Sequence, residues 1–185
     1  DGTAELLPNY TLEKLMHSCF EEVGVPKCTA EELEYAAALK ATYPPERDVP
    51  GIGAKFDAGI AKQVKALSEN MTKPVYDFLM PQYSGEGFRP GSTDVGDVSW
   101  QTPTAQIEVA AWPAGVPGHS WQVVACGKSS MAHKAMLCAG KVIASAAIEL
   151  LEQPALLEKA KSEFKERSAS GYVCPIEPDA VPIAL

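Results

Sequence analysis

Two short segments carry the side chains best suited to chemistry. Residues 91–97 read GSTDVGD and set Ser92, Thr93 and Asp94 on a glycine-flanked turn. Glycine tolerates positive φ and lets a ligand approach the main chain closely. Such a turn can bind a carboxylate through its amides, or orient a metal ligand from behind. The plainer reading is a surface turn, since Gly, Ser, Thr and Asp are also what ordinary turns are made of. The spacing fits neither a Walker loop nor a dinucleotide fingerprint. Residues 118–122 read GHSWQ and hold His119. An imidazole can ligate a metal, act as a general base, or sit as a hydrogen-bonded structural residue. His133, in SSMAHKAM, falls in the first turn of a long apolar helix. A helix N-terminus disfavours imidazolium, which keeps the ring neutral and able to ligate. The third histidine, His17, lies mid-helix beside Ser18 and reads as solvated. No HExxH, no GxSxG and no closely spaced His/Cys set is present. If a metal pair is bound, most of its ligands lie outside this chain.

The elements that position these residues can be read from periodicity. Residues 11–23 have apolar positions at helical spacing, with Thr11 as the expected cap. Thr29 opens a second helix, and TAEE matches the capping box; Pro44 and Pro45 end it. Residues 44–53 are broken by proline and glycine and read as a loop. A further helix is expected over 55–70, and irregular structure over 73–91. Residues 104–112 (TAQIEVAAW) and 119–126 (HSWQVVAC) read as strands joined by PAGVPG. Residues 130–151 form the strongest helix, apolar around much of its circumference and rich in Ala and Gly, as in a helix buried against a sheet. Pro154 breaks it, and 156–167 is a charged amphipathic helix. The tail 168–185 holds Pro175, Pro178 and Pro182 and reads as a surface wrap. The whole is expected to be one α/β domain, helices on a sheet. Its two strands alone would leave unpaired edges.

Composition narrows the function classes. The chain has 185 residues and is 46 % hydrophobic, enough for one domain with a core. A net charge of −8 without basic runs argues against nucleic acid as partner. No apolar run is long enough for a membrane span. The first residues do not read as a signal peptide, and the missing initial Met suggests a piece of something longer. Five cysteines, odd in number and without CxxC spacing, suggest reduced thiols in a cytoplasmic protein rather than disulfides or a zinc knuckle.

Taken together, GSTDVGDVSW, TPTAQIEVAAWPAGVPGHSWQ, GKSSMAHKAMLCAGKVIASAAIELL and YVCPI resemble the dinuclear-metal amidohydrolases, a family that includes aminoacylases, hippurate hydrolases and related carboxypeptidases. The likeness runs from about Pro8 to Pro178 and is most specific between Gly91 and Leu151. It implies that the chain is the C-terminal half of a metallopeptidase-like catalytic domain. Helices would pack on a mixed sheet left incomplete by the missing first half. It implies a divalent metal pair, zinc or manganese, with most ligands and the glutamate general base in that missing N-terminal half. By the resemblance, His119 matches the late metal-binding histidine, with His133 as the alternative. Ser92, Thr93 and Asp94 would line the same cleft, touching substrate or supporting the metal ligands. His119 and Asp94 should then open into one cleft within about 10 Å. The implied reaction is hydrolysis of the amide of an N-acyl amino acid, p-aminobenzoyl-glutamate being the first guess. The chain alone is expected to be inactive, and its parent to be a homo- or hetero-oligomer. The competing reading is a non-enzymatic α/β binding or assembly module, whose polar segments are ordinary loops.

Overall fold

A computed structural model describes residues 2–44, 58–84 and 91–181. Among these residues every regular element is a helix. They are α1 (Tyr10–Val23), α2 (Ala30–Lys40), α3 (Ala58–Glu69), α4 (Val95–Ser99), α5 (Trp121–Gly127), α6 (Ser130–Glu152) and α7 (Pro154–Arg167), followed by a 3₁₀ turn at Ser168–Ser170. Packing is built around α6, which contacts α1, α5 and α7.

Caps set the helix starts. Asn9, not Thr11, caps α1: its side chain accepts from the Leu12 N–H at 3.0 Å while its amide donates to the Ala160 carbonyl at 2.9 Å. One buried amide thus closes an orphan donor of α1 and ties α1 to α7. Thr11 is instead held by Glu163 of α7, whose carboxylate also accepts from the Tyr10 and Thr11 N–H groups. At α2 the expected capping box forms between Thr29 and Glu32. The α6–α7 break falls at Gln153, which precedes Pro154 and has φ −121° and ψ 75°. A proline ring excludes the helical conformation from the residue before it and is itself at home in a first turn.

Two apolar clusters follow. In one, Cys19 and Phe20 of α1 meet Cys138, Val142 and Ala146 of α6, with Leu79, Ile107 and Val109 packed against them. In the other, Ala36 and Leu39 of α2 meet Val75, Cys126 and Met131. All five thiols are free; Cys19, Cys126 and Cys138 are buried, Cys28 is partly buried and Cys174 is exposed. No helix among the described residues is long and apolar enough to cross a membrane.

The structure overturns the expected α/β class: the described residues contain seven α-helices and no strand, so no mixed sheet underlies them. The segment expected as a strand over 119–126 is mostly α5. Ser120 accepts from the Val123 N–H and starts the helix, and burial falls on Gln122 and Cys126, one helical turn apart, while Val124 is exposed. A short apolar run bounded by turn residues does not distinguish strand from helix, and here the cap decides. The segment 104–112 is neither helix nor strand. Ile107 and Val109 turn toward the core while Gln106 and Glu108 are exposed, so the alternation is real, but no neighbouring strand completes a ladder. Of the helix expected over 55–70, residues 58–69 are helical and 55–57 lie outside the described residues. Most of the expected 44–53 loop also lies outside them.

Candidate functional site

The GSTDVGD segment folds as a turn leading into α4, a short helix that its sequence does not announce. Ser92, Thr93 and Asp94 are exposed, and Gly91 has φ +146°. The Thr93 carbonyl accepts from the Gly96 N–H at 3.1 Å, and the Asp94 carbonyl from the Val98 N–H at 3.3 Å. Asp94 stands at the N-cap but makes no side-chain cap bond. Asp97, one turn on, is the engaged acid. It accepts from the Tyr172 hydroxyl at 2.7 Å and from the Ala4 N–H at 3.4 Å. That hydrogen bond to Asp97 pushes the Tyr172 phenol well above its usual range. Ser99 accepts from the Leu7 N–H, and the Trp100 indole donates to the Glu5 carbonyl. Gly96 packs so closely under the Ala4 carbonyl that any Cβ would collide with it. The segment therefore clamps the N-terminal residues and the tail at Tyr172.

His119 stands on the loop between residue 112 and α5. The loop is anchored by the Ala114 N–H on the Pro74 carbonyl and by the Tyr43 hydroxyl on the Ala114 carbonyl, at 2.8 and 3.0 Å. Gln122 donates to Thr42 just beyond. His119 itself is exposed and has φ +54°, a region few residues other than glycine enter and where histidine is among the tolerated exceptions. His133 is exposed in the first turn of α6, as expected, with its N–H on the Ser129 carbonyl. No hydrogen bond or ion pair joins His119, His133 and Asp94 to one another, and none of them lines the cleft between α1 and α7 or the groove over the other side of α1. The residues the structure does bring together are Thr93 with Val95 and Asp97 with Tyr172. Among the described residues, no three His, Cys, Asp or Glu side chains converge closely enough to hold a metal ion. The donors among the described residues do not by themselves fit a metal pair.

Two clusters have no counterpart in the sequence motifs. The first is a groove of about 880 Å³ over α1, walled by residues 76–83 and 106–112 and floored by Met16 and Phe20. His17 lies on its wall rather than in solvent: its Nε2 donates to the Met80 carbonyl at 2.8 Å, and Nδ1 is 3.8 Å from Glu21. Glu13 also faces this groove, and its pKa is raised, chiefly by burial and then by nearby Glu163. No motif announces such a groove, because its walls come from segments about 30 residues apart. The second cluster joins α2 to α6. Glu32, 7 % exposed, accepts from Lys134 at 2.7 Å, Ser130 at 2.6 Å and the Thr29 N–H at 2.7 Å. These bonds, Lys134 first, hold its carboxyl down at about 2. The capping-box motif locates Glu32; its partners Ser130 and Lys134 lie about 100 residues away and leave no local signal.

The chain is similar to a p-aminobenzoyl-glutamate hydrolase subunit of Escherichia coli (strain K12). The two are 33 % identical over 183 residues, which is 97 % of this chain and 37 % of the relative. The chain thus spans little more than a third of the length of the curated relative it matches. The likeness to a p-aminobenzoyl-glutamate hydrolase expected from the motifs is borne out, and it extends over nearly the whole chain. No family model and no solved structure matches it. The relative's name makes that protein part of a hydrolase built from subunits.

Proposed function

We propose that the chain works as part of an amidohydrolase that cleaves N-acyl amino acids, with p-aminobenzoyl-glutamate as first substrate. The observation that carries this is the 33 % identity over 183 residues to the E. coli p-aminobenzoyl-glutamate hydrolase subunit. The relative is much longer than the match, so the catalytic groups are assigned to polypeptide beyond this chain. We assign a divalent metal pair, zinc or manganese, to the assembled enzyme, with the general base outside this chain. His119 is the residue we assign to it as a ligand, and His133 is the alternate. An exposed imidazole on an anchored loop is free to meet donors supplied by another segment, and this supports His119. Ser92, Thr93 and Asp94 are assigned to the substrate side of the same cleft. The free and mostly sequestered thiols support a cytoplasmic setting.

The test is glutamate release from p-aminobenzoyl-glutamate. The chain is assayed alone and after co-expression with the part of the E. coli relative that it does not span, with zinc or manganese supplied. The expected result is no hydrolysis by the chain alone, hydrolysis by the pair, and loss of at least a hundredfold on His119→Ala with His133→Ala near wild type. Hydrolysis that survives His119→Ala and falls with His133→Ala moves the ligand role to His133. A properly associated pair that releases no glutamate sinks the hydrolase reading.

A further inference from the structure

The helix α6 buries one side only. Met131, Ala135, Cys138, Val142 and Ala146 face inward, toward α1 and α2. At about 100° per residue, the opposite side carries Met136, Leu137, Gly140, Ile143, Ala144, Ala147, Ile148 and Leu151. All of these are exposed, Met136 at 64 % and Leu151 at 81 %. None is charged. Of the helix's charged residues Lys134 and Glu149 turn inward, while Lys141 and Glu152 border the face and His133 stands at its N-terminal end. A solvent-facing helix side normally inverts this distribution. The five large side chains of this face expose on the order of 500 Å², the upper end of the roughly 300–600 Å² that a monomer's largest apolar patch usually reaches.

We propose that this face of α6 is the seat of a polypeptide corresponding to the part of the E. coli hydrolase relative that this chain does not span. The proposal rests on the reading that the chain works as part of such a hydrolase. Two observations select this occupant. The chain matches only 37 % of the relative's length, so the relative has a large remainder that must pack on something. The face is also smaller than the roughly 800 Å² per partner of a stable interface between independent proteins. Two copies meeting on this stripe alone would fall short of that area. A longer polypeptide that also contacts the chain elsewhere does not face that limit. The surface that fits here is apolar, uncharged and about 22 Å long, the rise of α6 from Met136 to Leu151. Gly140, Ala144 and Ala147 in its centre allow close approach of main chain.

The experiment uses the chain and, as probe, the uncovered part of the E. coli relative made as a separate polypeptide. Affinity is measured by sedimentation for wild type and for Ile143→Glu, Ala147→Glu and Val173→Glu. The first two positions are exposed on the face, and Val173 is a still more exposed apolar residue on the tail. Circular dichroism checks that each variant is folded. The expected result is a one-to-one complex weakened at least tenfold by Ile143→Glu and by Ala147→Glu but not by Val173→Glu. The proposal is overturned if no complex forms, or if all three variants bind within threefold of wild type. It is also overturned if the chain alone dimerises and Ile143→Glu abolishes that, which makes the occupant a second copy. Hydrolysis is read in parallel. A face-dependent complex that releases no glutamate removes the hydrolase reading and keeps the seat. An active complex indifferent to Ile143→Glu does the reverse.

Discussion

Replacing Glu32 by Gln should cost the folded chain stability at neutral pH and far less near pH 2. Glutamine keeps a side-chain oxygen for the Thr29 N–H, so the capping box survives. What is lost is the charge that faces Lys134 at 2.7 Å and Ser130 at 2.6 Å. A carboxyl held at about 2 instead of 4.5 represents roughly 3 kcal/mol at about 1.4 kcal/mol per pH unit. Lys134 is 37 % exposed, so water screens part of the attraction. The expected loss is therefore about 1.5–3 kcal/mol, or roughly 4–10 °C in Tm for a chain of this size. The sign follows from the depressed pKa. The contribution is complete above about pH 4.5 and disappears as pH falls toward 2, so wild type and Glu32→Gln should converge in acid. Urea unfolding followed by circular dichroism at pH 7, 4 and 2.5 measures the gap directly. Lys134→Met alone should cost more than Lys134→Met combined with Glu32→Gln, because the single change leaves a buried carboxylate without its cation. Equal stability of wild type and Glu32→Gln at pH 7, or a gap that stays constant down to pH 2.5, would falsify the assignment of this ion pair as the α2–α6 tie.

Two further outcomes can be measured on the same preparation. Asn9→Ala removes the α1 cap and the buried amide's bond to the Ala160 carbonyl, which keeps its intrahelical partner, so it should destabilise by about 2 kcal/mol, read as a shift of the urea midpoint at unchanged slope. At His119, whose φ is +54°, Gly should be more stable than Ala by about 1 kcal/mol, since only glycine enters that region without cost; in the co-expressed pair both should abolish hydrolysis equally if the imidazole is what matters, whereas activity retained by the glycine variant would point to loop geometry instead.

Helices are legible where the signal is local. The Thr29 box, the 130–151 run and the Pro154 break lie within four residues of what they specify, and the structure places each within a residue or two of its sequence signal. The α1 cap is not at Thr11, because the choice between Asn9 and Thr11 is made by α7. Glu163 occupies Thr11, and the Ala160 carbonyl occupies the other end of the Asn9 amide. Burial would raise the Glu163 carboxyl, but Thr11, the Tyr10 and Thr11 amides and Arg167 together hold it below its usual range. No local pattern carries that information. The strand expected over 119–126 fails for the converse reason. Its apolar run is real, but the capping hydroxyl of Ser120 outweighs the β-formers behind it. The candidate site is legible only through resemblance, and what this chain shows of it is two separately anchored loops.

The two loops are anchored to different neighbours, and this bears on how a site could arise from them. The 91–99 segment is fixed to residues 4–7 and Tyr172, while the His119 loop is fixed to residues 42–43 and 74. The first is held through its Asp97 and Ser99 side chains and the second through the Ala114 main chain, and the side chains of Ser92, Asp94 and His119 take no part in either anchor, so neither loop is set to swing toward the other. A catalytic set that includes both must therefore be gathered by groups that reach them from outside the chain, not by closure of one loop onto the other. The uncharged face of α6 points the same way, because a helix begun one turn beyond α5 shares its frame with the His119 loop. In sequence only α5 separates that histidine from α6. Seating and ligand supply would then be a single event, and Ile143→Glu should lower hydrolysis in the assembled enzyme only as far as it lowers association. At saturating partner the Ile143→Glu rate should return to that of wild type; a rate that stays low at saturation would mean the face does more than hold the two parts together.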